Sequence, residues 1–145
     1  MRTFQRGVGV AVNRGLRRGL LKAKRLALTR YMQRKNTNAR IDPPNPPPGP
    51  LAIRRGNLAR TVTVIEPVWN GRQSVGGMSM GSAAFPYGAI HEYGGWAGRG
   101  LRSYIPARPV LMPSLRDPDT DLEGEVRAEI SKWGLATLGP LWSAA

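Results

Sequence analysis

"LARTVTVIEPVWNGRQSVGGMSM", residues 58–80, carries the strongest strand signal in the chain. Residues 58–66 alternate Thr and Val and end before Pro67, the pattern of a half-buried strand whose successive side chains face opposite sides. Asn70-Gly71 is a hairpin pair, because both residues tolerate the left-handed backbone of a tight turn. The returning strand holds Ser74, Val75, Met78 and Met80, with a bulge expected at Gly76-Gly77.

Helices flank this hairpin. Over residues 14–35, Leu16, Leu20, Ala23, Ala27 and Tyr31 recur at steps of three and four, with Leu21 and Leu28 widening the apolar stripe. Gly7 and Gly9 interrupt the residues before it, which read as an arm, and Asn36 and Asn38 are the expected stops. Gly15 and Gly19 weaken the helix by about 1 kcal/mol each relative to Ala. In the last helix, Thr120 and Glu123 have capping-box spacing, with Asp119 and Asp121 suiting the positive helix start. Its apolar face is Leu122, Val126, Ile130 and Trp133, and Gly134 is the expected terminator.

Between these elements, "IDPPNPPPGP", residues 41–50, is six-tenths proline. Proline fixes its own backbone and moves its predecessor out of the helical region, so the stretch reads as an extended strut of about 3 Å per residue. "YGAIHEYGG", residues 87–95, is a third strand or a short helix. "RPVLMPSL", residues 108–115, is a fourth strand or an extended segment interrupted at Pro113. The expected fold is α+β: an N-terminal basic helix, a Pro-rich strut, a small antiparallel-rich β-sheet and a C-terminal helix packed on it. The expected divisions are 1–40 for the basic arm and helix, 41–50 for the linker, 51–137 for the core and 138–145 for a tail.

Composition narrows the function. The chain has 145 residues, which suits one domain, and contains no cysteine and one histidine, His91. Disulfides and the common zinc sites are therefore not expected, and neither is any cofactor. No apolar run approaches the roughly 20 residues of a membrane helix, and the basic, glycine-broken start does not read as a secretory signal. No Gly-x-Ser-x-Gly turn or phosphate-binding loop is present. His91 and Glu92 are neighbours, and in a strand they would face opposite ways. The expectation is no enzyme and no catalytic residue.

The charge is lopsided. Net charge is +13, and residues 1–40 hold twelve Lys or Arg and no acid, while residues 117–129 hold six of the nine acids. Such a surplus favours a polyanion or an acidic partner, with Arg14, Arg17, Arg18, Lys22 and Arg25 as the expected contacts. No aromatic stacking pattern or RNA-module signature accompanies them, so nucleic-acid binding would ignore base sequence. A sequence-independent nucleic-acid-binding protein is accordingly one reading of the chain.

Three segments in order support another. Gly56, Leu58 and Thr61 form a Gly-x-Leu-x-x-Thr unit. Tyr87, Ala89, Glu92, Tyr93 and Gly94 form a second, and Pro106, Ala107, Arg108, Pro109, Leu111 and Pro113 a third, with Val110 where phenylalanine is usual. Over about residues 54–133 this resembles the tail-completion, or head–tail joining and neck, proteins of long-tailed bacteriophages, including the virion-morphogenesis proteins. The resemblance implies a structural virion protein at the head–tail junction, assembled in the host cytoplasm as a homo-oligomeric ring, with a hexamer expected. Its implied partners are the head–tail connector and tail-tube or tail-terminator proteins, with DNA passing near the lumen. Terminator, stopper and neck roles all stay open. In the residues themselves, Trp96, Arg99, Arg102, Tyr104 and Arg108 are the expected interface, since Trp and Arg are favoured anchors and Pro106 and Pro109 stiffen the backbone around Arg108.

Overall fold

Small residues recur at every fourth position of the first helix, α1 (Arg2–Thr29): Gly7, Ala11, Gly15, Gly19, Ala23 and Ala27. At 3.6 residues per turn such a series forms one slowly winding ridge with almost no side-chain height. The C-terminal helix, α5 (Leu122–Trp142), lies antiparallel along it. A Cβ at Gly15 would stand 2.5 Å from Val126 Cα, one at Gly19 2.5 Å from Leu122 Cδ2, and one at Gly7 2.6 Å from Trp133 Nε1. Phe4 closes the end of the seam, edge-on to Trp133 with ring centroids 4.9 Å apart.

The computed structural model describes residues 2–34, 49–53 and 55–142. The stops expected at Asn36 and Asn38, and strut residues 41–48, lie outside the described residues. After α1 come β1 (Met32–Arg34), β2 (Leu51–Ile53), a one-turn helix α2 (Asn57–Arg60), β3 (Thr63–Trp69) and β4 (Ser74–Ser79). Then follow α3 (Tyr87–Tyr93), β5 (Gly95–Ala97), β6 (Ser103–Ile105), α4 (Leu111–Arg116) and α5. The architecture is mixed α+β, as the sequence patterns predict. Among the described residues the strands form three two-stranded ribbons: β1 with β2 parallel, and two antiparallel hairpins, β3–β4 and β5–β6.

The β3–β4 hairpin turns where expected. Asn70 Oδ1 accepts the amides of Arg72 and Gln73 at 3.0 and 2.9 Å, and Gly71 adopts φ 98°. The irregularity is on the opposite strand from the one predicted. Ile65 pairs with Gly77 and Val68 with Val75, so Glu66 and Pro67 together face Gly76. Pro67 has no amide to donate, and Gly76 leaves room for its ring: a Cβ there would stand 2.9 Å from Pro67 Cγ. The hairpin rests on α1, where Trp69 covers Gly9 and the Ser74 hydroxyl donates to Asn13 Oδ1 at 2.5 Å.

The core sits where α1, the parallel ribbon and the start of α4 converge. Ala27, Met32, Leu51, Val62 and Val110 are buried together, with Tyr31, Leu58, Met78 and Met80 packed around them. Several expectations are corrected. Residues 2–13 continue α1 and are not an arm, because Gly7 and Gly9 face Trp133 and Trp69 and gain packing there. The helix ends at Thr29, and Leu21 is exposed. Of the two alternatives for residues 87–95, the short helix is the one formed, over 87–93, whereas 111–116 is a helix and neither a strand nor an extended segment; Pro113 fits in the first turn of α4, where its missing N–H leaves no bond unmade. Thr120 does not cap α5: its hydroxyl donates to the Ser114 carbonyl, and Asp121 Oδ1 accepts the Gly124 amide at 3.0 Å instead. Gly134 does not end α5, which runs on to Trp142.

Gly15 and Gly134 therefore predict opposite outcomes for one substitution. Gly15→Ala should raise helix propensity yet destabilise the protein by about 1–3 kcal/mol, because the methyl group meets Val126 backbone. Gly134→Ala, with no atom within 4 Å of the new Cβ, should stabilise by up to about 1 kcal/mol. Chemical denaturation of both variants checks this, and stabilisation by both would remove the close-approach role of the α1 ridge.

Candidate functional site

The Tyr87–Gly94 and Pro106–Pro113 segments meet through one carboxylate. Glu92 is buried on α3, and Oε2 accepts the amides of Val110 and Leu111 at 2.7 and 3.0 Å. Its Oε1 accepts the Met112 amide at 2.9 Å. These are unpaired amides of the α4 N-terminus, where a negative charge is also favoured by the helix dipole. The Arg108 amide adds a bond to the His91 carbonyl at 2.6 Å. Glycines let the α3 end pack this closely. Gly88 lies against the Met80 carbonyl, and Gly94, at φ 73°, lies against the Ala107 amide. The Gly56-x-Leu58-x-x-Thr61 unit has a parallel logic. Gly56 enters α2 at φ 76°, Leu58 packs on the core, and Thr61 Oγ1 donates to the Leu58 carbonyl and accepts the Gly81 amide.

His91 therefore stands beside Glu92 on a helix, not across a strand, yet the Glu92 carboxylate is taken up by α4. His91 Nδ1 is buried with no partner among the described residues. Burial first, and the Arg108 charge second, hold its pKa below the usual histidine range. The ring borders a hollow of about 400 Å³ whose lining includes Met32, Leu51, Leu58, Tyr87 and Arg108. The described residues contain no cluster of three or more His, Cys, Asp or Glu able to hold a metal ion, and no helix among them is long and apolar enough to cross a membrane.

The expected interface residues divide into two places. Trp96 and Tyr104 pair across β5–β6 with ring centroids 5.4 Å apart and an interplanar angle of 66°. Each is 59% exposed, Tyr93 is 78% exposed and Leu101 at the turn is 66% exposed. Arg99 and Arg102 flank that turn, where Leu101 is held at φ 50°. Arg108 is not part of this hairpin; it is half-buried at the His91 hollow. The sequence reading missed the outer face of β3–β4, where Ile65, Val68 and Val75 are exposed.

The basic helix is not a free cationic surface. Arg17 pairs with Glu66 at 2.9 Å, Arg18 with Glu129, and Lys22 with Glu125 at 2.5 Å. Past the helix end, Arg30 grips both Asp117 and Asp119 at 2.6 Å. Acids 49 to 111 positions away in sequence thus answer several of the N-terminal charges, which corrects the expectation of a helix with no acid beside it. Of the five expected contacts, only Arg14 and Arg25 lack an ion pair among the described residues. Asp117 is buried at the centre of this clasp. The Tyr31 hydroxyl first, then the Asp119 amide and the Arg30 guanidinium, hold its carboxyl below the usual range, against burial that pushes it up. Glu129 is likewise held low, first by Lys132 and then by Arg18 and Arg14.

Comparison with known proteins gives one partial likeness. The chain is 53% identical over 38 residues, 26% of its length, to "Mu-like prophage FluMu G protein 2" of Haemophilus influenzae, and it covers 28% of that relative. This match points to a phage origin. No family model matches the chain, and no solved structure does.

Two outcomes follow from the capping and clasp geometry. Glu92→Ala should destabilise the protein by about 2–3 kcal/mol, since three amides, that of Val110 buried and the other two partly so, lose a charged acceptor. Thermal and chemical melting measure this, and a loss near zero would make the cap incidental. Asp117 titrates with the second outcome. Its folded-state pKa is depressed, so its contribution is present above the unfolded value of about 4 and is lost as pH falls through the lower folded value. The stability gap between wild type and Tyr31→Phe should be full at neutral pH and shrink in acid. A gap independent of pH would assign Tyr31 to packing alone.

Proposed function

We propose that the chain is a structural, non-catalytic virion component of a tailed phage, forming a homo-oligomeric ring at the head–tail junction. The observation that carries this reading is the β5–β6 hairpin. Trp96 and Tyr104 are packed against each other yet face solvent, with Leu101 and Tyr93 beside them and Arg99 and Arg102 at the tip. Large aromatics rimmed by arginine are the composition of interface hot spots. The hairpin is braced before any partner arrives, because Glu92 fastens α3, which precedes it, to α4, which follows it, and a preformed anchor loses little freedom on binding. The partial likeness to a prophage protein supports placing that interface within a phage particle. In this reading neighbouring subunits bury the hairpin, and the connector and tail proteins stack on the ring.

Native mass spectrometry of the purified chain tests it. A closed oligomer, a hexamer on the proposed reading, is expected. The Trp96→Ala/Tyr104→Ala double variant should release monomers while its melting temperature stays close to wild type. A wild-type chain that stays monomeric at every concentration tried would sink the ring. An oligomer indifferent to the double variant would place its interface elsewhere.

A further inference from the structure

Four cations with no ion-pair partner among the described residues border one concavity. Lys24 on α1, Arg34 at the end of β1, Arg55 before α2 and Arg60 on α2 line a hollow of about 530 Å³. Its floor is apolar: Leu28, Ile53, Ala59 and Val62. Among the described residues, no acid lines it. This hollow adjoins the one beside His91, with which it shares Ile53, Arg55, Gly56 and Ala59, so a groove passes on both sides of α2 to Arg108. The contrast within α1 is sharp. Arg17, Arg18 and Lys22 are answered by Glu66, Glu129 and Glu125, whereas Lys24, two residues beyond Lys22 on the same helix, meets no acid among the described residues.

We propose that this groove is a docking site for an acidic protein segment bearing bulky apolar side chains, supplied by a different protein. Charge complementarity selects an anion: four like charges around a low-dielectric floor repel one another, and a carboxylate-bearing partner relieves that repulsion. The floor selects a peptide over a nucleic-acid backbone. Phosphates and sugars would leave Leu28, Ile53 and Val62 unmatched, and the four-cation hollow has no aromatic ring on which a base could stack. Leu or Phe side chains between acidic residues fill such a floor while their carboxylates meet the rim.

A second copy of the chain is the poorer occupant. Every Asp and Glu among the described residues is engaged within its own chain. Glu66, Glu125, Glu129, Asp117 and Asp119 meet basic residues of α1 or Arg30, and the rest serve as caps or in a pair within α5. Docking a copy would mean breaking those pairs. A partner from outside brings its own acids.

A random peptide library displayed on yeast tests the site without a known partner. Cells are sorted for binding to wild-type protein, then counter-sorted against Lys24→Glu/Arg60→Glu. Retained peptides should combine Asp or Glu with Leu, Ile, Phe or Trp, and should bind the variant about tenfold or more weakly. Neither side chain holds an ion-pair partner among the described residues, so melting should be unchanged. Should charge reversal unfold the chain, Lys24→Gln/Arg60→Gln gives the same direction with a smaller loss. Peptides lacking acids, or none that distinguish the variant, would overturn the proposal. So would a duplex DNA probe that binds wild type and is released by the same variant while no peptide is, which would assign the groove to nucleic acid. The site does not depend on the ring: a monomeric wild type that still selects acidic, apolar peptides would end the ring reading and leave the groove standing.

Discussion

The close approach of α1 and α5 sets the positions of nearly everything else. Gly15 lets the Val126 backbone come within van der Waals reach of α1, and Gly19 does the same for Leu122. At that separation Arg18 and Lys22 can reach Glu129 and Glu125 directly. Their pairing fixes which turn of α5 lies against which turn of α1. Packing supplies most of the attraction, because partly exposed ion pairs add little, but the pairs exclude sliding of a smooth ridge along a partner. Farther along, Arg30 and Tyr31 hold Asp117, and that anchors the α4–α5 corner.

That corner links the core to the outward-facing surface. α4 is six residues long and carries a proline, so it has little stability of its own. It is held from both ends, by Glu92 at its start and by Asp117 and the Thr120–Ser114 bond at its finish. Val110, fully buried beside Ala27 and Met32, joins it to the α1 core. The aromatic hairpin grows from this frame, and the cationic hollow adjoins the His91 hollow at α2.

The hairpin at residues 63–79, the terminal helices and the mixed α+β class were legible from periodicity and turn residues. The beginning of α1 was not, because glycine is read locally as a helix breaker, while Gly7 and Gly9 are there for the rings of Trp133 and Trp69. The four-residue recurrence of small side chains from Gly7 to Ala27 was nonetheless a visible signal of close helix packing. α3 and α4 escaped a period-based reading because each is shorter than two full turns. Glu92 stood out beside a histidine and within the Tyr87–Gly94 unit, but its capping role did not, since its three amide partners lie 18–20 positions downstream. The charge asymmetry between the chain's ends was plain in the sequence. Its meaning was not, because summed charge says nothing about which cations face acids within the same molecule.

Glu92 also has an evolutionary consequence. By fastening α3 to the first turn of α4 it closes the chain into a loop, with residues 95–105 hanging outside the fastening. The tip from Gly98 to Arg102 contributes nothing to the core, so its length and chemistry can drift while the frame stays folded. Those five residues can be rewritten without touching the frame, and the same tip is the natural graft point for an engineered epitope.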